Sequence, residues 1–138
     1  MDAVAQAKLY EKLAARNNPF ATYNHISAVE IGEEYAVTQL EIYPESLNPL
    51  GVVHGGCLYT LADNACGMAV HGDGRRHVTQ NGNLHFVSNQ GEGVLRATAK
   101  VVRRGKTTSL IRVEITGDNQ RLIAVGDFSF YCISKDKV

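Results

Sequence analysis

The sequence predicts a single α+β domain, and three observations support that prediction. The chain has 138 residues, a length that suits one compact domain with one principal site. One helical pattern opens the chain and a second lies near its middle, while segments rich in β-branched and aromatic residues fill most of the remainder. Glycine-containing turns separate the last four of these segments at hairpin spacing, which indicates consecutive antiparallel strands. The predicted order is therefore helix, two strands, helix, four strands.

The first half of the chain contains a short helix and a hairpin. Residues 3–16 place apolar side chains among polar ones at nearly helical spacing, and the run Asn17-Asn18-Pro19 ends that helix. Strands are expected at 25–31 and 35–43, because both are rich in β-branched and aromatic residues and meet at a Gly-Glu-Glu turn. Residues 44–53 contain two prolines and a glycine and are expected to form a loop.

The second half of the chain is expected to form four antiparallel strands. They are predicted at 77–88, 93–103, 107–116 and 121–133. Strict alternation along the first of them assigns its polar side chains to one face, which would suit a subunit interface or the polar end of a cleft. That predicted face comprises His77, Thr79, Asn81, Asn83 and His85, opposite Val78, Leu84 and Phe86.

Composition and charge exclude several classes of function. The chain carries 14 basic and 14 acidic residues, so it lacks the broad positive field that nucleic acid or an anionic membrane surface requires. No run approaches the ~20 apolar residues of a membrane span, and the N-terminus lacks the order of a signal peptide, which favours the cytoplasm. Cys57, Cys66 and Cys132 form no C-x-x-C pair and are expected to be reduced thiols rather than disulfides or metal ligands.

The segment 54–70 is expected to form a second helix with two buried faces. One apolar stripe follows helical spacing and comprises Leu58, Leu61, Ala62, Ala65 and Ala69. Asp63 is the only acidic or basic side chain between Cys57 and Val70, and it points away from that stripe, alongside Tyr59 and Cys66. A lone carboxylate in such surroundings either satisfies a neighbouring polar group or has a shifted pKa suited to chemistry.

Two glycines follow His54 at the start of that helix. Gly55 and Gly56 let another group approach the backbone closely, and the first N–H groups of a helix have no partner within it. The positive end of the helix dipole points to the same place, which suits a carbonyl oxygen that gains negative charge. A tight turn without any catalytic role would explain the same two glycines, so the pair alone leaves both interpretations open.

Together these residues resemble a known signature. The string Asn48-Pro49-Leu50-Gly51-Val52-Val53-His54-Gly55-Gly56, followed by Leu61-Ala62-Asp63, is similar to the N-x-x-G-x-x-H-G-G and L-x-D motifs of hotdog-fold thioesterases, in the phenylacetyl-CoA (PaaI-like) and acyl-CoA thioesterase branch. The resemblance implies a hotdog fold, in which a six-stranded antiparallel sheet wraps a long central helix. It covers residues 21–138, and residues 1–20 are expected to form a helical N-terminal extension.

The resemblance also implies a role for each matching residue. Asp63 matches the catalytic acid, which acts as general base toward water or attacks the thioester carbonyl as nucleophile. Gly55 matches the glycine whose N–H polarises that carbonyl, and in this family the glycine and the acid come from opposite subunits of a homodimer. Asn48 matches a residue that holds the carbonyl or the water, His54 positions the loop, and Thr79 matches a hydroxyl residue that orients the water.

The implied substrate is an acyl-CoA, and a basic turn is expected to hold its phosphates. Arg103-Arg104-Gly105-Lys106-Thr107 combines cations, a glycine that permits close approach and a hydroxyl donor, and Gly56 is expected to contact substrate at the helix start. Arg75 and Arg76 form a second basic pair. No metal or cofactor is expected apart from the CoA of the substrate, because a thioester is already activated. Two homodimers are expected to associate as a homotetramer.

Three alternatives compete with this interpretation. An enoyl-CoA hydratase of the same fold is disfavoured, because Asp63 lacks the histidine that follows the acid in that branch. Hydroxybenzoyl- and dihydroxynaphthoyl-CoA thioesterases usually carry glutamate at the position of Asp63. The third alternative is a non-catalytic module that binds acyl-CoA. The acyl group itself is left open, since Tyr59, Met68 and Phe86 of two subunits would shape its pocket.

Overall fold

The computed structural model describes residues 1–136 and contains three helices and six strands. The helices are α1 (Ala3–Ala14), α2 (Pro19–Tyr23) and α3 (Gly55–Val70). The strands are β1 (Ile26–Ile31), β2 (Tyr35–Glu41), β3 (Arg76–Phe86), β4 (Val94–Arg104), β5 (Thr108–Thr116) and β6 (Leu122–Ser134). The predicted order of helix, two strands, helix and four strands is confirmed.

The short helix α2 was absent from the prediction. Pro19 occupies its first turn, where a missing N–H is tolerated, and the Asn18 side chain accepts a hydrogen bond from the Ala21 amide at 3.2 Å. The run from Asn17 to Pro19 therefore ends one helix and also begins another.

All six strands form one antiparallel sheet in the order β1-β2-β4-β5-β6-β3. The two long hairpins β4-β5 and β5-β6 form its middle, and β1 and β3 are its edges. In this arrangement β3 pairs with β6 along one side only, although β3 is 11 residues long. An edge of that length presents a row of backbone groups that another strand can pair with.

The helix α3 lies against one face of the sheet and supplies the centre of the core. Its predicted stripe is fully buried, and the buried side chains of the helix are Cys57, Leu58, Leu61, Ala62, Ala65, Cys66, Ala69 and Val70. The strands contribute alternate residues, as in β5, where Ser109, Ile111, Val113 and Ile115 point inward. Burial of each large apolar side chain contributes roughly 1.5–3 kcal/mol, so this layer accounts for much of the stability. The second face of α3, which carries Asp63, is half-buried.

A bulge in β3 changes which side chains face α3. Two consecutive residues of β6 pair with Thr79 and Asn81, so one extra residue lies between those two. Thr79 faces α3 before the bulge, and Gly82 faces it afterwards, where an added Cβ would lie 2.3 Å from the Tyr59 hydroxyl. The prediction of one shared polar face along 77–87 is therefore wrong, because the inserted residue reverses the alternation.

The N-terminal helix packs onto the domain through one main anchor. Leu13 is 1% exposed, and α1 contacts the 3-10 turn His71–Asp73 that follows α3. Asp2 caps the helix by accepting a hydrogen bond from the Ala5 amide at 2.8 Å. This packing brings residues 13–19 beside the second face of α3.

Candidate active site

Asp63 forms a short hydrogen bond with Thr79 across the gap between α3 and β3. The Thr79 hydroxyl donates to Oδ1 of Asp63 at 2.6 Å. Burial raises the pKa of the Asp63 carboxyl, and the hydrogen bond from Thr79 acts in the opposite direction. A carboxylate that is partly removed from water and held by one hydroxyl group retains a second oxygen for chemistry.

The start of α3 leaves one backbone donor without a partner. The His54 ring accepts a hydrogen bond from the Gly56 amide through Nδ1 at 2.8 Å, and the His54 carbonyl accepts from the amides of Cys57 and Leu58. Among the described residues the Gly55 amide has no hydrogen-bond acceptor. Because Nδ1 of His54 is an acceptor, the proton of the neutral ring lies on Nε2.

The loop before α3 is held in place by Asn48. Its Oδ1 accepts hydrogen bonds from the backbone amides of Leu50 and Val52 at 2.9 and 3.3 Å. The backbone N–H of Asn48 donates to the Val52 carbonyl at 2.8 Å. Gly51 adopts φ of 82°, a left-handed conformation that glycine reaches without strain. Since both bonds to Oδ1 lie within the loop, the Nδ2 group is what Asn48 can offer to a ligand.

Gly55 and Asp63 lie too far apart on one helix to act on the same carbonyl. They are separated by eight residues along α3, which corresponds to a rise of about 12 Å. This separation favours a site in which the two groups that act on one thioester carbonyl belong to different copies of the chain. This geometry agrees with the implied sharing of the site between two subunits, which stays a prediction.

A cleft of about 370 Å³ opens beside Asp63 and Thr79. The second face of α3 forms one wall with Asn64, Gly67 and Met68, and the end of α1 together with the residues that follow it forms the opposite wall. That opposite wall consists of Leu13, Arg16, Asn17, Asn18 and Pro19. The sequence interpretation placed these residues outside the principal domain and so missed their position beside the carboxylate.

Of the three side chains expected to shape the acyl pocket, Met68 lines this cleft. The Phe86 ring instead lies over Gly55, where an added Cβ would be 3.5 Å from Cζ. Tyr59 packs on Phe128 with ring centroids 5.0 Å apart. Met68 therefore lies at the cleft, whereas Phe86 lies at the start of α3 and Tyr59 packs against the sheet.

Comparison with known proteins identifies the family. The chain matches the family model of the Thioesterase superfamily over residues 50–124, which is more than half of its length. The chain belongs to the thioesterase superfamily. The "Putative esterase Rv1847" of Mycobacterium tuberculosis (strain ATCC 25618 / H37Rv) is 33% identical over 114 residues, covering 78% of this chain and 81% of that protein.

Two further relatives carry names of CoA thioester hydrolases. The acyl-coenzyme A thioesterase PaaI of Escherichia coli (strain K12) is 31% identical over 101 residues, covering 72% of each chain. The 1,4-dihydroxy-2-naphthoyl-CoA hydrolase of Listeria monocytogenes serotype 1/2a (strain 10403S) is 28% identical over 104 residues, covering 72% of this chain and 84% of that protein. At the level of the family, thioester hydrolysis is therefore supported.

Solved thioesterase-family structures confirm the hotdog fold and the PaaI-like resemblance. The E. coli PaaI protein superposes with a TM-score of 0.89 at 26% identity, covering 96% of this chain and 97% of that one. The M. tuberculosis Rv1847/MT1895 structure gives a TM-score of 0.81 at 30% identity, covering 85% and 98%. None of the helices in residues 1–136 combines the length and apolar character needed to span a bilayer. Nowhere in the same part of the chain do three His, Cys, Asp or Glu side chains form a group that could hold a metal ion.

The basic turn expected to hold CoA has one side chain that faces inward, that of Arg104. Arg104 donates to the carbonyls of Glu33 and Ala69 at 2.9 and 3.1 Å, whereas the side chains of Arg103, Lys106 and Thr107 are exposed. The turn closes through a hydrogen bond from the Gly105 amide to the Thr108 carbonyl, and an added Cβ at Gly105 would lie 2.3 Å from that oxygen. The role of this turn in CoA binding stays a prediction, and Arg103, Lys106 and Thr107 are the side chains with room to fulfil it.

A buried polar cluster next to the cleft beside Asp63 was not predicted from the sequence. Asp73 accepts hydrogen bonds from Nε of Arg75 at 2.8 Å and from Nε2 of His77 at 3.2 Å, and Nε of Arg104 lies 3.4 Å away. Burial acts to raise the pKa of Asp73, but the hydrogen bonds from His77 and Arg75 outweigh it and hold the pKa well below its usual range. The cluster ties the end of α3 to the turn 104–108, because Arg75 also donates to the carbonyls of that turn.

His71 completes this cluster as a neutral ring. Its Nε2 accepts a hydrogen bond from the His77 amide at 3.1 Å, so the ring proton lies on Nδ1, which is 2.6 Å from the Gly67 carbonyl. Burial lowers the pKa of His71 to about 4, which keeps the ring uncharged at neutral pH. One signal in the sequence was the spacing of His71, Asp73 and His77 immediately after the helix.

Proposed function

We propose that the protein hydrolyses an acyl-CoA thioester to a free carboxylic acid and CoA, with the Asp63 carboxylate as general base or nucleophile. The observation that carries this proposal is the hydrogen bond from Thr79 to Asp63 at the mouth of a cleft. Membership of the thioesterase superfamily and the names of the E. coli and L. monocytogenes relatives support the same reaction class.

The proposed site is shared between two copies of the chain. The Gly55 amide of one copy would polarise the thioester carbonyl, and Asp63 of the other would act on its carbon. Support comes from the rise of about 12 Å between these residues on one helix and from the unpaired edge of β3, along which two copies can associate. A homodimer is then the catalytic unit, and a homotetramer would be a pair of such units.

The chemistry follows from the groups present. The carbonyl oxygen accepts a hydrogen bond from the Gly55 amide at the positive end of α3, where negative charge is stabilised during attack. As general base, Asp63 removes a proton from water as the water oxygen bonds to the carbonyl carbon, the C–S bond then breaks, and the proton passes from Asp63 to the departing CoA thiolate. As nucleophile, Oδ2 bonds to the carbonyl carbon and the C–S bond breaks, which gives a mixed anhydride and the CoA thiolate. Water then hydrolyses the anhydride to the free acid and the Asp63 carboxylate, and the proton released goes to the thiolate.

The orienting residues have defined places in this scheme. Thr79 fixes one oxygen of Asp63, His54 aligns the helix start through the Gly56 amide, and Asn48 shapes the preceding loop while its Nδ2 group can hold the carbonyl or the water. Arg103, Lys106 and Thr107 would contact the phosphates of CoA from the exposed turn.

A second candidate is hydrolysis of an aryl-CoA. The L. monocytogenes relative is named as a dihydroxynaphthoyl-CoA hydrolase, which favours this possibility. The aspartate at position 63, where that branch usually carries glutamate, favours the phenylacetyl or fatty-acyl branch instead. A non-catalytic acyl-CoA binding module is the candidate from a different class.

The test measures release of free thiol from a panel of phenylacetyl-, hydroxybenzoyl-, dihydroxynaphthoyl- and straight-chain acyl-CoA esters. We expect the wild-type protein to release CoA and Asp63→Asn to bind the same esters without releasing it. Glu114→Gln, which changes an exposed carboxylate on β5 in the same way, is the matched control and should retain wild-type rates. Turnover by Asp63→Asn at the wild-type rate would reject the catalytic assignment, and binding without turnover by the wild-type protein would identify a binding module.

A further inference from the structure

A second cavity of about 550 Å³ adjoins the cleft beside Asp63. The two cavities share Leu13, Arg16, His71, His77 and Val78 in their linings. The second cavity adds Lys12, Ala15, Arg76 and Ile133. An elongated ligand that enters beside Asp63 can therefore continue past His77 toward the start of β3.

The second cavity has a one-sided charge distribution. Lys12, Arg16 and Arg76 all line it, whereas no aspartate or glutamate in the described part of the chain does so. Arg16 and His71 both line the cavity, and the Arg16 charge adds to burial in lowering the pKa of His71. The positive charges of Arg16 and Arg76 at one concave space produce a site that attracts an anion.

His77 stands where the two cavities meet and has an unused polar atom. Its side chain is only 1% exposed, and its Nε2 faces Asp73. Its Nδ1 is buried and has no hydrogen-bond partner within residues 1–136. Buried polar atoms without a partner are rare in proteins. Because Nε2 donates to Asp73, Nδ1 is an acceptor, so its natural partner is an N–H or O–H group of the ligand or of a water molecule bound with it, and the carboxylate itself is left to the cations.

Distance suits a group at the far end of an acyl chain. Arg76 precedes Thr79 by three residues on β3, which corresponds to about 10 Å along the strand. The Asp63 carboxylate lies beside Thr79, and Arg16 lines the space at both ends of this path. A ligand whose reacting carbonyl is at Asp63 would thus bring its distal end to the cations.

We propose that this basic cavity is a subsite for a carboxylate at the distal end of the acyl group, so that the favoured substrates are CoA thioesters of dicarboxylic acids. This inference rests on the proposed function, because it takes the acyl chain to enter beside Asp63. Arg16 is the specificity-determining residue, since it alone among the three cations lines both cavities. A guanidinium group binds a carboxylate with two parallel hydrogen bonds.

The first experiment compares matched substrates that differ only in the distal group. Adipyl-CoA is paired with hexanoyl-CoA and suberyl-CoA with octanoyl-CoA, and the ratio of kcat/KM within each pair is measured. The wild-type ratio should favour the dicarboxylic member, and Arg16→Gln should lower that ratio by about tenfold or more, as expected for loss of a charge-assisted hydrogen bond. Arg16→Lys should restore part of the ratio. Arg96→Gln, which changes an exposed side chain on β4, should leave the ratio unchanged.

The phosphates of CoA are the other possible source of an anion for this cavity. Thioesters of N-acetylcysteamine carry the same acyl groups without any phosphate. The Arg16→Gln effect on the ratio should persist with these compounds if the acyl carboxylate is the ligand. Loss of the effect, or an equal effect on both members of a pair, would overturn the proposal.

Binding of the esters to Asp63→Asn tests the subsite in a variant that is expected not to hydrolyse them. Titration calorimetry should show tighter binding of adipyl-CoA than of hexanoyl-CoA to this variant, and addition of Arg16→Gln should abolish the difference. If the wild-type protein hydrolyses neither ester but this difference in binding persists, the subsite stands and the catalytic assignment fails. If both esters are hydrolysed and bound alike, the subsite is rejected and the catalytic assignment stands.

Discussion

Thr79 donates a 2.6 Å hydrogen bond to Oδ1 of Asp63, joining the edge strand β3 to the second face of α3. This bond opposes the effect of burial, which raises the pKa of the carboxyl. The Thr79 hydroxyl on β3 therefore acts to lower the pKa of the Asp63 carboxyl on α3. That coupling can be measured, because the proposed reaction requires Asp63 in its ionised form.

Thr79→Val should shift the acid side of the pH–rate profile. Removal of the hydroxyl leaves the effect of burial unopposed, so the pKa of Asp63 rises further and kcat/KM begins to fall at a higher pH than in the wild type. At neutral pH we expect a loss in kcat/KM on the order of tenfold. Thr79→Ser keeps the hydroxyl and should keep the profile. A Val variant with an unmoved acid side would show that another group controls it.

Gly55→Pro tests the backbone donor without disturbing the helix. Proline is well tolerated at the first position of a helix, and His54 already has φ of −59° and ψ of 135°, which suit a residue that precedes proline. The substitution removes the N–H group, so kcat should fall on the order of 10²-fold or more while the melting temperature changes little. Gly55→Ala retains the N–H and makes only ordinary contact with Phe86, so it should retain most of the activity. Equal losses in both variants would argue against a role for the amide.

His54→Ala should destabilise the start of α3. The ring nitrogen no longer accepts from the Gly56 amide, and loss of such a cap costs about 1 kcal/mol of stability. Urea denaturation at pH 7 measures this loss, and kcat should fall in parallel. His54→Asn supplies another acceptor and should restore both. A positioning residue exchanges no proton with substrate, so the Asn variant should show the wild-type pH–rate profile. If one side of that profile were absent in the Asn variant, His54 would instead be transferring a proton.

Asp73→Asn should destabilise the protein through its buried cluster. The substitution leaves Arg75 and Arg104 without their charged partner, and a loss of about 2–3 kcal/mol is expected. The folded-state pKa of Asp73 lies below its usual value, so this stabilisation is present above about pH 4 and is lost as pH falls below it. Urea titrations from neutral to acidic pH should show the wild type and Asp73→Asn converging in stability. The exposed Asp136→Asn variant should follow the wild type throughout, and parallel curves for Asp73→Asn would contradict this account.

Much of the fold could be predicted because its signals are local. The apolar stripe of α3 and the glycine turns of the last four strands follow from spacing and residue type alone. Asp63 stood out for the same reason, since it is the only charged side chain within its helical segment.

The remainder depends on contacts between distant segments, which leave no periodic trace in the sequence. The bulge after Thr79 arises from pairing with β6, and strict alternation could not reveal it. The cleft wall from Arg16 to Pro19 depends on where α1 docks through Leu13. The partners of Asp73 include Arg104, which is distant in sequence and reaches the cluster only through the fold.

Mixing two inactive variants should restore activity if the site is shared between subunits. Gly55→Pro retains Asp63, and Asp63→Asn retains the Gly55 amide, so a heterodimer of the two contains one site with both groups intact and one with neither. Random exchange makes half of the dimers mixed, each with one of two sites working, so thiol release should approach about a quarter of the wild-type rate. The exchange is achieved by co-refolding differently tagged chains, and heterodimers isolated through both tags should reach about half of the wild-type rate, because one of their two sites works. If each site were built from a single chain, no combination of these two variants would recover activity, because every site in the mixture would lack one of the two groups.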